Sequence, residues 1–329
     1  MRAGIVGTGF IGAVHAIALR SLGVEVAWEA GRRDDLHSLL DDDRVDVLHV
    51  CTPNSVHAGQ ALAALERGIH VVCEKPLAVS SDECAALIAA AEERALVNAV
   101  CYHTRTYPLV EHIRAEVAAG AIGEITFVHG RYLCDDVLFP ASGWRVDPEQ
   151  SGPAYVVGDL GTHWLDLAEH VTGQHVSEVL ADFRSFAGGP LEDYAALLLR
   201  FEGGAAGSLV LSAGAAGRKN QLLFEVEGRK AGFTWDQETP TEALFRPVDG
   251  AKQVVVKDPM TNAQSARALS RYPAGHGEGY GGAFRNLFEQ VYAAVEGREH
   301  APFPTFRDGA RGVAAVEAAV ASRGVWITL

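Results

Sequence analysis

The sequence is poor in cysteine and methionine, has no excess of basic charge and contains no long apolar run. Its five cysteines are scattered, without a Cys-x-x-Cys pair or a histidine at zinc-finger spacing, which argues against a disulfide scaffold and a zinc module. We therefore expect reduced thiols in the core of a cytoplasmic protein. With 28 Lys+Arg and 42 Asp+Glu, the net charge of −14 repels phosphate backbones and anionic lipids, so we expect neither nucleic acid nor a membrane as a partner.

Two targeting signals are also missing. No run of about 18 uncharged apolar residues predicts a transmembrane helix, and the N-terminal stretch MRAGIVGTG lacks the apolar segment of a signal peptide. The chain instead has 48% hydrophobic and 21% charged residues, as soluble globular proteins do. At roughly 100–200 residues per domain, a chain of 329 residues predicts two domains.

The first hundred residues predict an α/β domain. Helix-like segments at about 11–21, 34–41, 56–67 and 80–94 alternate with the apolar segments AGIV, VEVAW, VDVLHVC, IHVVC and LVNAVC. Such alternation predicts a parallel sheet with helices on its faces. The pattern stops near residue 102, so we place this domain at residues 1–103.

The remainder, residues 104–329, predicts an α+β domain with a large, mostly antiparallel open sheet. Longer alternating segments carry the signal: ITFVHGRYL, VSEVLADFRSF, DYAALLLRF, AAGSLVLSA, QLLFEVEG and KQVVVKD. Glycine-containing turns are expected at Glu202-Gly203-Gly204 and after Glu227. We expect helices at 159–172, 281–296 and 308–322 to cover one face of this sheet.

A glycine turn follows the first predicted strand and opens a helix. Its sequence is Gly7-Thr8-Gly9-Phe10-Ile11-Gly12, a Gly-x-Gly-x-x-Gly pattern. The first glycine allows the tight turn, the second lets a pyrophosphate approach the backbone, and the third lets the helix pack close to the strand. In this chain position the pattern predicts dinucleotide binding; the alternative is a purely structural turn.

An acidic residue about twenty positions on is expected to bind the ribose hydroxyls of NAD, and Glu29 follows VEVAW at that distance. Arg32 and Arg33 come soon after and could accept the 2′-phosphate of NADP instead, so NAD is favoured and NADP stays open. Only about fifteen residues then precede VDVLHVC, room for one short helix. We therefore expect a shortened nucleotide-binding domain that lacks an outer strand.

Polar residues follow the next two predicted strands. Cys51-Thr52-Pro53-Asn54 ends one strand, and Cys73-Glu74-Lys75-Pro76 ends the next. Ligands of open α/β sheets bind beyond the carboxyl ends of the strands, where these residues are expected to lie. A surface lysine in a turn is the alternative interpretation of Lys75.

Four titratable residues, Asp159, His163, Asp166 and His170, lie in the apolar stretch VVGDLGTHWLDLAEH. Residues four apart on a helix share a face, so Asp159 and His163 could converge on one substrate. The alternatives are a carboxylate that favours the helix dipole and a buried, satisfied imidazole. A required metal is not expected, because zinc would need ligands from other segments and none is apparent.

Taken together, the glycine turn, CTPN with His57 after it, EKPLA and GDLGTHWLDL resemble the glucose–fructose oxidoreductase, inositol dehydrogenase and MocA family over nearly the whole chain. RYLCDDVL, GWRVDPEQSG, FTWDQE and AGHGEGY resemble a sugar-oxidising branch of that family. The resemblance implies a Rossmann domain and a second domain whose open sheet mediates homo-oligomers, either dimers or tetramers. It further implies an active site to which both domains contribute.

The resemblance also implies site residues. Catalysis falls to Lys75, Asp159 and His163, and cofactor binding to Gly7, Thr8, Gly9, Phe10, Ile11, Gly12, Glu29, Thr52, Pro53, Asn54, His57, Glu74 and Lys75. For substrate binding the candidates are Lys75, Tyr102, His103, Arg145, Asp159 and His163. For Tyr102 and His103, a purely structural role is an equally good interpretation. The glycine-rich loop with His276 and Glu278 is either a lid over the site or a loop without that role.

The expected activity is NAD(P)-dependent hydride transfer at a secondary hydroxyl or ketone of a sugar, cyclitol or glycoside. An imidazole titrates near neutral pH, so His163 suits the base that takes the hydroxyl proton, while Lys75 can stabilise the developing alkoxide. One alternative is an NAD-dependent glycoside hydrolase that oxidises its substrate transiently. The other is a non-catalytic sensor of nucleotide or sugar on the same fold.

Overall fold

The computed structural model describes residues 1–42, 44–139 and 143–329, which divide into two units. The first unit comprises Met1–His103, Glu149–Gly152 and Tyr280–Val313. The second comprises Thr104–Pro148, Pro153–Gly279 and Ala314–Leu329.

Helices and strands alternate regularly in the first third of the chain and less so afterwards. Up to residue 118 they are β1 (Arg2–Val6), α1 (Phe10–Ser21), β2 (Glu25–Ala30), α2 (Leu36–Asp42), β3 (Val47–Val50), α3 (His57–Glu66), β4 (His70–Cys73), α4 (Ser81–Glu93), β5 (Asn98–Val100) and α5 (Pro108–Ala118). They continue with β6 (Ile125–Leu133), α6 (Pro148–Ser151), α7 (Thr162–Thr172), β7 (Val176–Arg184), β8 (Tyr194–Phe201), β9 (Ala206–Ser212), β10 (Gln221–Gly228) and β11 (Ala231–Asp236). The last are β12 (Glu242–Pro247), β13 (Gln253–Val256), α8 (Gln264–Leu269), α9 (Tyr280–Val295), α10 (Phe306–Ser322) and β14 (Ile327–Thr328).

The first unit contains a five-stranded parallel sheet in the order β2-β1-β3-β4-β5. This confirms the predicted α/β fold. In the part of the chain that the structure describes, α2 is the one element between β2 and β3, and β2 forms the edge of the sheet. The predicted loss of an outer strand is thereby confirmed.

Both faces of this sheet are buried along β1, β3 and β4, whose residues are mostly apolar. Val6, Leu48 and Val71 point to the face covered by α3 and α4. Their neighbours Ile5 and Val72 point to the opposite face, where they pack with residues of α1 and α9. The alternation follows from the two-residue repeat of a strand.

One prediction about the helices is wrong. The helix expected at 281–296 does not cover the second sheet, because α9 packs against α1 and the first sheet through Phe284, Leu287, Phe288 and Val291. Phe306 and Val313 of α10 also belong to the core of the first unit. The periodicity of a helix indicates which of its faces is apolar and leaves open which sheet that face covers.

The second unit contains a nine-stranded sheet in the order β13-β12-β11-β10-β6-β9-β8-β7-β14. Neighbours are antiparallel apart from the parallel pair β6 and β9, which confirms the predicted mostly antiparallel sheet. The strands β11, β12 and β14 are absent from the strands predicted from the sequence, and β14 is the shortest of them. β14 has two residues, too few for a periodic signal.

A glycine lets the helix α7 lie close to this sheet. A β-carbon on Gly130 of β6 would overlap the carbonyl oxygen of Leu223 and the indole nitrogen of Trp164. That indole, fully buried, donates to the Leu223 carbonyl at 3.0 Å. Because Trp164 adjoins His163 in the chain, the same contact orients the helix that carries the candidate base.

All five cysteines are buried and free, which confirms the predicted core thiols. Burial raises the pKa of the Cys134 thiol to about 12, and it raises those of Cys51, Cys73 and Cys101 as well. Among the described residues, no helix has both the length and the apolar character needed to span a bilayer.

We expect Gly130→Ala to lower the free energy of unfolding by about 1–3 kcal/mol, because the new methyl group overlaps atoms that are already packed. Urea denaturation monitored by tryptophan fluorescence measures the loss. The matched control is Gly59→Ala in α3, where a β-carbon meets no atom within 4 Å. That variant should be as stable as the parent or more so, since alanine favours a helix. An equally stable Gly130→Ala variant would contradict the proposed packing.

Candidate functional site

The predicted glycine turn connects β1 to α1. Gly7 has φ +106°, a conformation that favours glycine, and its amide donates to the Ala30 carbonyl at 2.8 Å. A β-carbon on Gly7 would overlap the Cys51 carbonyl, and one on Gly12 would overlap the Gly7 carbonyl. Since both overlaps involve backbone atoms, neither position accepts a larger residue.

The middle glycine faces open space. No atom lies within 4 Å of a β-carbon built on Gly9, the residue before α1. No side chain caps this end of α1, and its first turn has no acidic residue. Backbone amide groups without a capping side chain, together with the positive end of the helix dipole, favour the binding of an anion. The turn therefore fits the pyrophosphate of a dinucleotide.

Glu29 lies one residue before the end of β2. Its carboxylate forms an ion pair of 2.6 Å with Arg20, which is in the last turn of α1, and both side chains are partly exposed. Val6 pairs with Ala30, so Gly31 follows β2 as Gly7 follows β1, and a β-carbon on Gly31 would contact Thr8 of the glycine turn. Glu29 thus has a partner of its own, and the position that faces the turn has no side chain.

His57 holds two loops of the same sheet edge together. Its fully buried ring lies 2.8 Å from the Thr52 carbonyl and 2.9 Å from the Pro76 carbonyl. Burial lowers its pKa, and a neutral ring donates to one of these carbonyls at a time. Asn54 donates to the carbonyl of Ser151 at 2.9 Å. The loops after β3 and β4 are therefore fixed by buried side chains.

Glu74 and Lys75 come directly after β4. The Glu74 side chain is buried, and its two oxygens accept hydrogen bonds from His15 at 3.0 Å and from the Lys75 amide at 3.2 Å. Burial raises the pKa of Glu74, but His15 and the Lys75 charge outweigh this effect and lower it overall. Lys75 itself is half-buried.

Tyr102 and His103, the substrate candidates after β5, are both buried. Tyr102 is fully enclosed in the hydrophobic core. The His103 ring stacks on Phe284 at 4.3 Å and meets Tyr280 edge-on at 4.9 Å. Burial lowers the pKa of His103 to about 4, so the ring is neutral at pH 7.

In the second unit, Asp159 lies in a π-helical turn, Val157–Gly161, that leads into α7. Such turns are rare and occur often at functional sites. Asp159 is partly exposed, whereas the residues on either side of it are buried. The turn thus presents one carboxylate from an otherwise buried segment.

The titratable residues of this stretch have different partners. Asp159 lies 3.3 Å from Arg145, and its charge raises the pKa of that arginine. Asp166 accepts two hydrogen bonds from Arg105, at 2.8 and 2.5 Å, in a largely buried pair. Asp159 and Asp166 therefore belong to two separate ion pairs.

The fourth of these residues, His170, lies 3.6 Å from Glu111. Burial lowers the pKa of His170 to about 4, so its ring is neutral at pH 7. Glu111, which also pairs with Arg114, has a pKa of about 2, although burial alone would raise it.

Two tyrosines outside the predicted set of site residues lie near Asp159 and His163. The ring of Tyr132 is 6.2 Å from that of His163, centroid to centroid. Burial and then the Asp159 charge raise the pKa of Tyr132 and of Tyr155. Tyr132 belongs to RYLCDDVL, but strand periodicity does not identify a phenol that approaches an acid on another element.

The glycine-rich loop before α9 is tied down by a buried ion pair. Lys257 lies 2.6 Å from Glu278 and also donates to the carbonyls of Tyr272 and Pro273. Glu278 therefore anchors this loop, while His276 is exposed.

Two groups of side chains in the described residues have metal-ligand types close together. They are His15, Glu74 and Cys101 in the first unit, and His129, Glu225 and Glu227 in the second. Neither group includes Asp159 or His163.

Comparison with known families gives two adjoining matches. Residues 18–102 match a model described as an oxidoreductase family with an NAD-binding Rossmann fold. Residues 110–234 match the GFO/IDH/MocA C-terminal domain. Together they cover more than half of the chain.

Similar proteins include an uncharacterized oxidoreductase, YfiI, of Bacillus subtilis. It is 30% identical over an alignment of 306 positions that covers 87% of this chain and 78% of that protein. The levoglucosan dehydrogenase of Pseudarthrobacter phenanthrenivorans is 29% identical and covers 74% of this chain and 75% of its own length.

Among solved structures, an inositol dehydrogenase homolog from Azotobacter vinelandii in complex with NAD+ superposes with a TM-score of 0.93. It is 30% identical, and the match covers 100% of this chain and 97% of the other. The chain therefore belongs to the GFO/IDH/MocA family of oxidoreductases and carries its NAD-binding Rossmann fold.

Proposed function

We propose that the protein is an NAD-dependent dehydrogenase that acts on a secondary hydroxyl group of a sugar, cyclitol or glycoside. The observation that carries the proposal is the open glycine turn at α1, together with an ammonium group directly after β4. Two relatives support a polyol substrate: a levoglucosan dehydrogenase and an inositol dehydrogenase homolog that was solved with NADH and myo-inositol. Levoglucosan and myo-inositol both carry adjacent hydroxyl groups.

In the proposed complex, Gly7, Thr8, Gly9, Phe10, Ile11 and Gly12 hold the pyrophosphate through backbone amides. Thr52, Pro53 and Asn54 line the same edge, with His57 and Glu74 supporting them from the interior. The bound nicotinamide supplies a hydride acceptor or donor.

The remaining chemistry belongs to side chains of this protein. Lys75 stabilises the negative charge that develops on the substrate oxygen, and His163 takes the hydroxyl proton. Asp159 and Arg145, already an ion pair, provide a hydrogen-bond acceptor and a donor for neighbouring hydroxyl groups. Tyr102 and His103 are buried, so we assign them a structural role.

We expect Lys75→Ala and His163→Ala each to lower kcat by about 10²–10⁴-fold, because each removes a group that handles charge or a proton. A sugar and cyclitol panel monitored by nicotinamide absorbance measures this. NAD binding, followed by calorimetry, should persist in the His163→Ala variant.

The matched control is His170→Gln, on the same helix. It should keep kcat within about threefold, since this histidine pairs with Glu111 and has no role in the chemistry. Unchanged turnover in both test variants would refute the assigned roles. Release of a glycone without net NADH would instead favour the hydrolase.

Cofactor choice depends on Glu29. An exposed ion pair is worth at most about 1 kcal/mol, so Glu29 can leave Arg20 for the ribose hydroxyls. We expect Glu29→Gln to weaken NAD binding about 10–100-fold, as loss of charged hydrogen bonds does, and to leave NADP binding unchanged. Calorimetry with both nucleotides tests this.

The control for Glu29 is Glu25→Gln on the same strand, which removes a similar exposed pair with Arg2. It should bind both nucleotides as the parent does. If Glu29→Gln also binds NAD as the parent does, the ribose is held by other groups.

We also propose that the open face of the nine-stranded sheet binds a second copy of the chain. Phe127, Leu198 and Val210 lie on neighbouring strands of this face and are 43%, 49% and 38% exposed. Apolar side chains that cluster on a sheet face favour association.

We expect the double variant Leu198→Glu, Val210→Glu to be monomeric, because it buries two charges if the copies associate. Light scattering after size exclusion measures the mass. Met260→Glu changes an exposed apolar residue away from these strands and serves as the control. A parent protein that is itself monomeric would contradict the interface.

A further inference from the structure

The first unit contains a chain of hydrogen bonds that the proposed chemistry does not use. Glu74 Oε1 lies 3.0 Å from His15 Nε2, His15 Nδ1 lies 2.9 Å from His49 Nδ1, and His49 Nε2 lies 3.0 Å from the hydroxyl of Tyr292. The exposure of these four residues ranges from 0% for the two histidines to 6% for Glu74. We call them the buried relay.

The relay crosses an apolar core. His15 is on α1, His49 on β3 and Tyr292 on α9, and the rings of Phe284 and Phe288 pack against the histidines. Polar groups in such surroundings are costly unless all of them are paired. Four paired groups in a row therefore indicate a role that an apolar core does not provide.

With both rings neutral, which is part of the proposal below, the partners fix the proton positions. An ionised Glu74 only accepts, so His15 donates from Nε2, and its Nδ1 in a neutral ring accepts. His49 then donates from Nδ1 and accepts at Nε2 from the Tyr292 hydroxyl. The thiol of Cys51 lies 3.2 Å from the same His15 Nδ1, whose single lone pair the His49 N–H occupies. The four groups of the relay thus donate in one consistent direction.

We propose that the buried relay is a positioning device that keeps Glu74 ionised and so fixes the backbone of Lys75. The link to Lys75 is direct, because the second oxygen of Glu74 accepts the Lys75 amide at 3.2 Å. Tyr292, His49 and His15 are thus positioning residues for the proposed reaction, and the inference rests on that function only in its last step.

Several other groups face Glu74 and contribute to its titration. They are His57, Lys75, Cys51, Cys73, Cys101 and His103. The pKa of Glu74 is lowered in the folded protein, so its contribution to stability is present above its unfolded-state pKa and is lost as pH falls through the folded value. Weakening the relay should move that loss to higher pH.

The first test observes the protons and needs no activity. Nitrogen-15 NMR of histidine-labelled protein at pH 7.5 should show a proton on Nε2 of His15 and on Nδ1 of His49, assigned with His15→Gln and His49→Gln. The opposite tautomers, or a charged ring in either residue, would overturn the relay. Stoichiometric zinc in the purified protein, bound by His15, Glu74 and Cys101, would overturn it too, because the metal takes the Nε2 lone pair.

The second test concerns function. Tyr292→Phe removes one hydroxyl group and should leave His49 as a mixture of tautomers. Its kcat/KM should fall roughly threefold to tenfold near pH 6, the effect of one lost hydrogen bond, and recover at pH 8. The reason is that the low-pH decrease of the pH–rate profile shifts to higher pH. The control is Phe288→Leu, which packs on the same rings without a hydrogen bond and should change stability but neither tautomers nor pH profile.

The two tests separate the relay from the proposed reaction. If the tautomers are as expected and no polyol is oxidised, the relay stands and the proposed function fails. If the parent is active but Tyr292→Phe keeps the parent pH profile, the positioning role is refuted.

Discussion

The close approach of two backbone segments, Gly7 beside the carbonyl of Cys51, is the constraint on which the first unit depends. It brings the ends of β1 and β3 so near that a single β-carbon would separate them. The tight turn at Gly7 leads directly into α1, whose first amide groups have no side-chain cap. Uncapped amide groups at a helix start are what an anionic cofactor requires. The adjoining loops are then joined by His57 and Glu74, so each motif is held by side chains of another.

In the second unit, the mostly buried helix α7 and the turn before it carry several charged or titratable residues. Asp166 and His170 have the charged partners Arg105 and Glu111, and Asp159, in the π-helical turn that precedes α7, pairs with Arg145. Trp164, lodged against Gly130, holds the helix to the sheet. The apolar residues of this short stretch therefore attach the helix to the sheet, and three of its charged or titratable residues pair with charged side chains outside it.

Much of this could be predicted from the sequence. Strands of the first sheet are marked by continuous apolar runs, and those of the second by alternation, because burial on two faces or on one leaves different patterns. The glycine turn, EKP and the spacing of Asp159 and His163 were all visible as local motifs. The place of α9 was not, since an amphipathic helix fits any apolar surface. Nor was the ion pair of Glu29 with Arg20, because Arg20 comes from the preceding helix.

The sequence by itself determined the two fold classes, most of the helices and strands, the short connection between β2 and β3 and the glycine turn that opens α1. These depend on local rules: the periodicity of burial, the conformational freedom of glycine and the length of a connection. The tertiary structure alone decided which polar groups meet. His15, His49 and Tyr292 are separated by as many as 277 residues, from 15 to 292, and come into contact because their elements pack on one face of the sheet. No local pattern records such a contact, since it arises only when distant segments share a core.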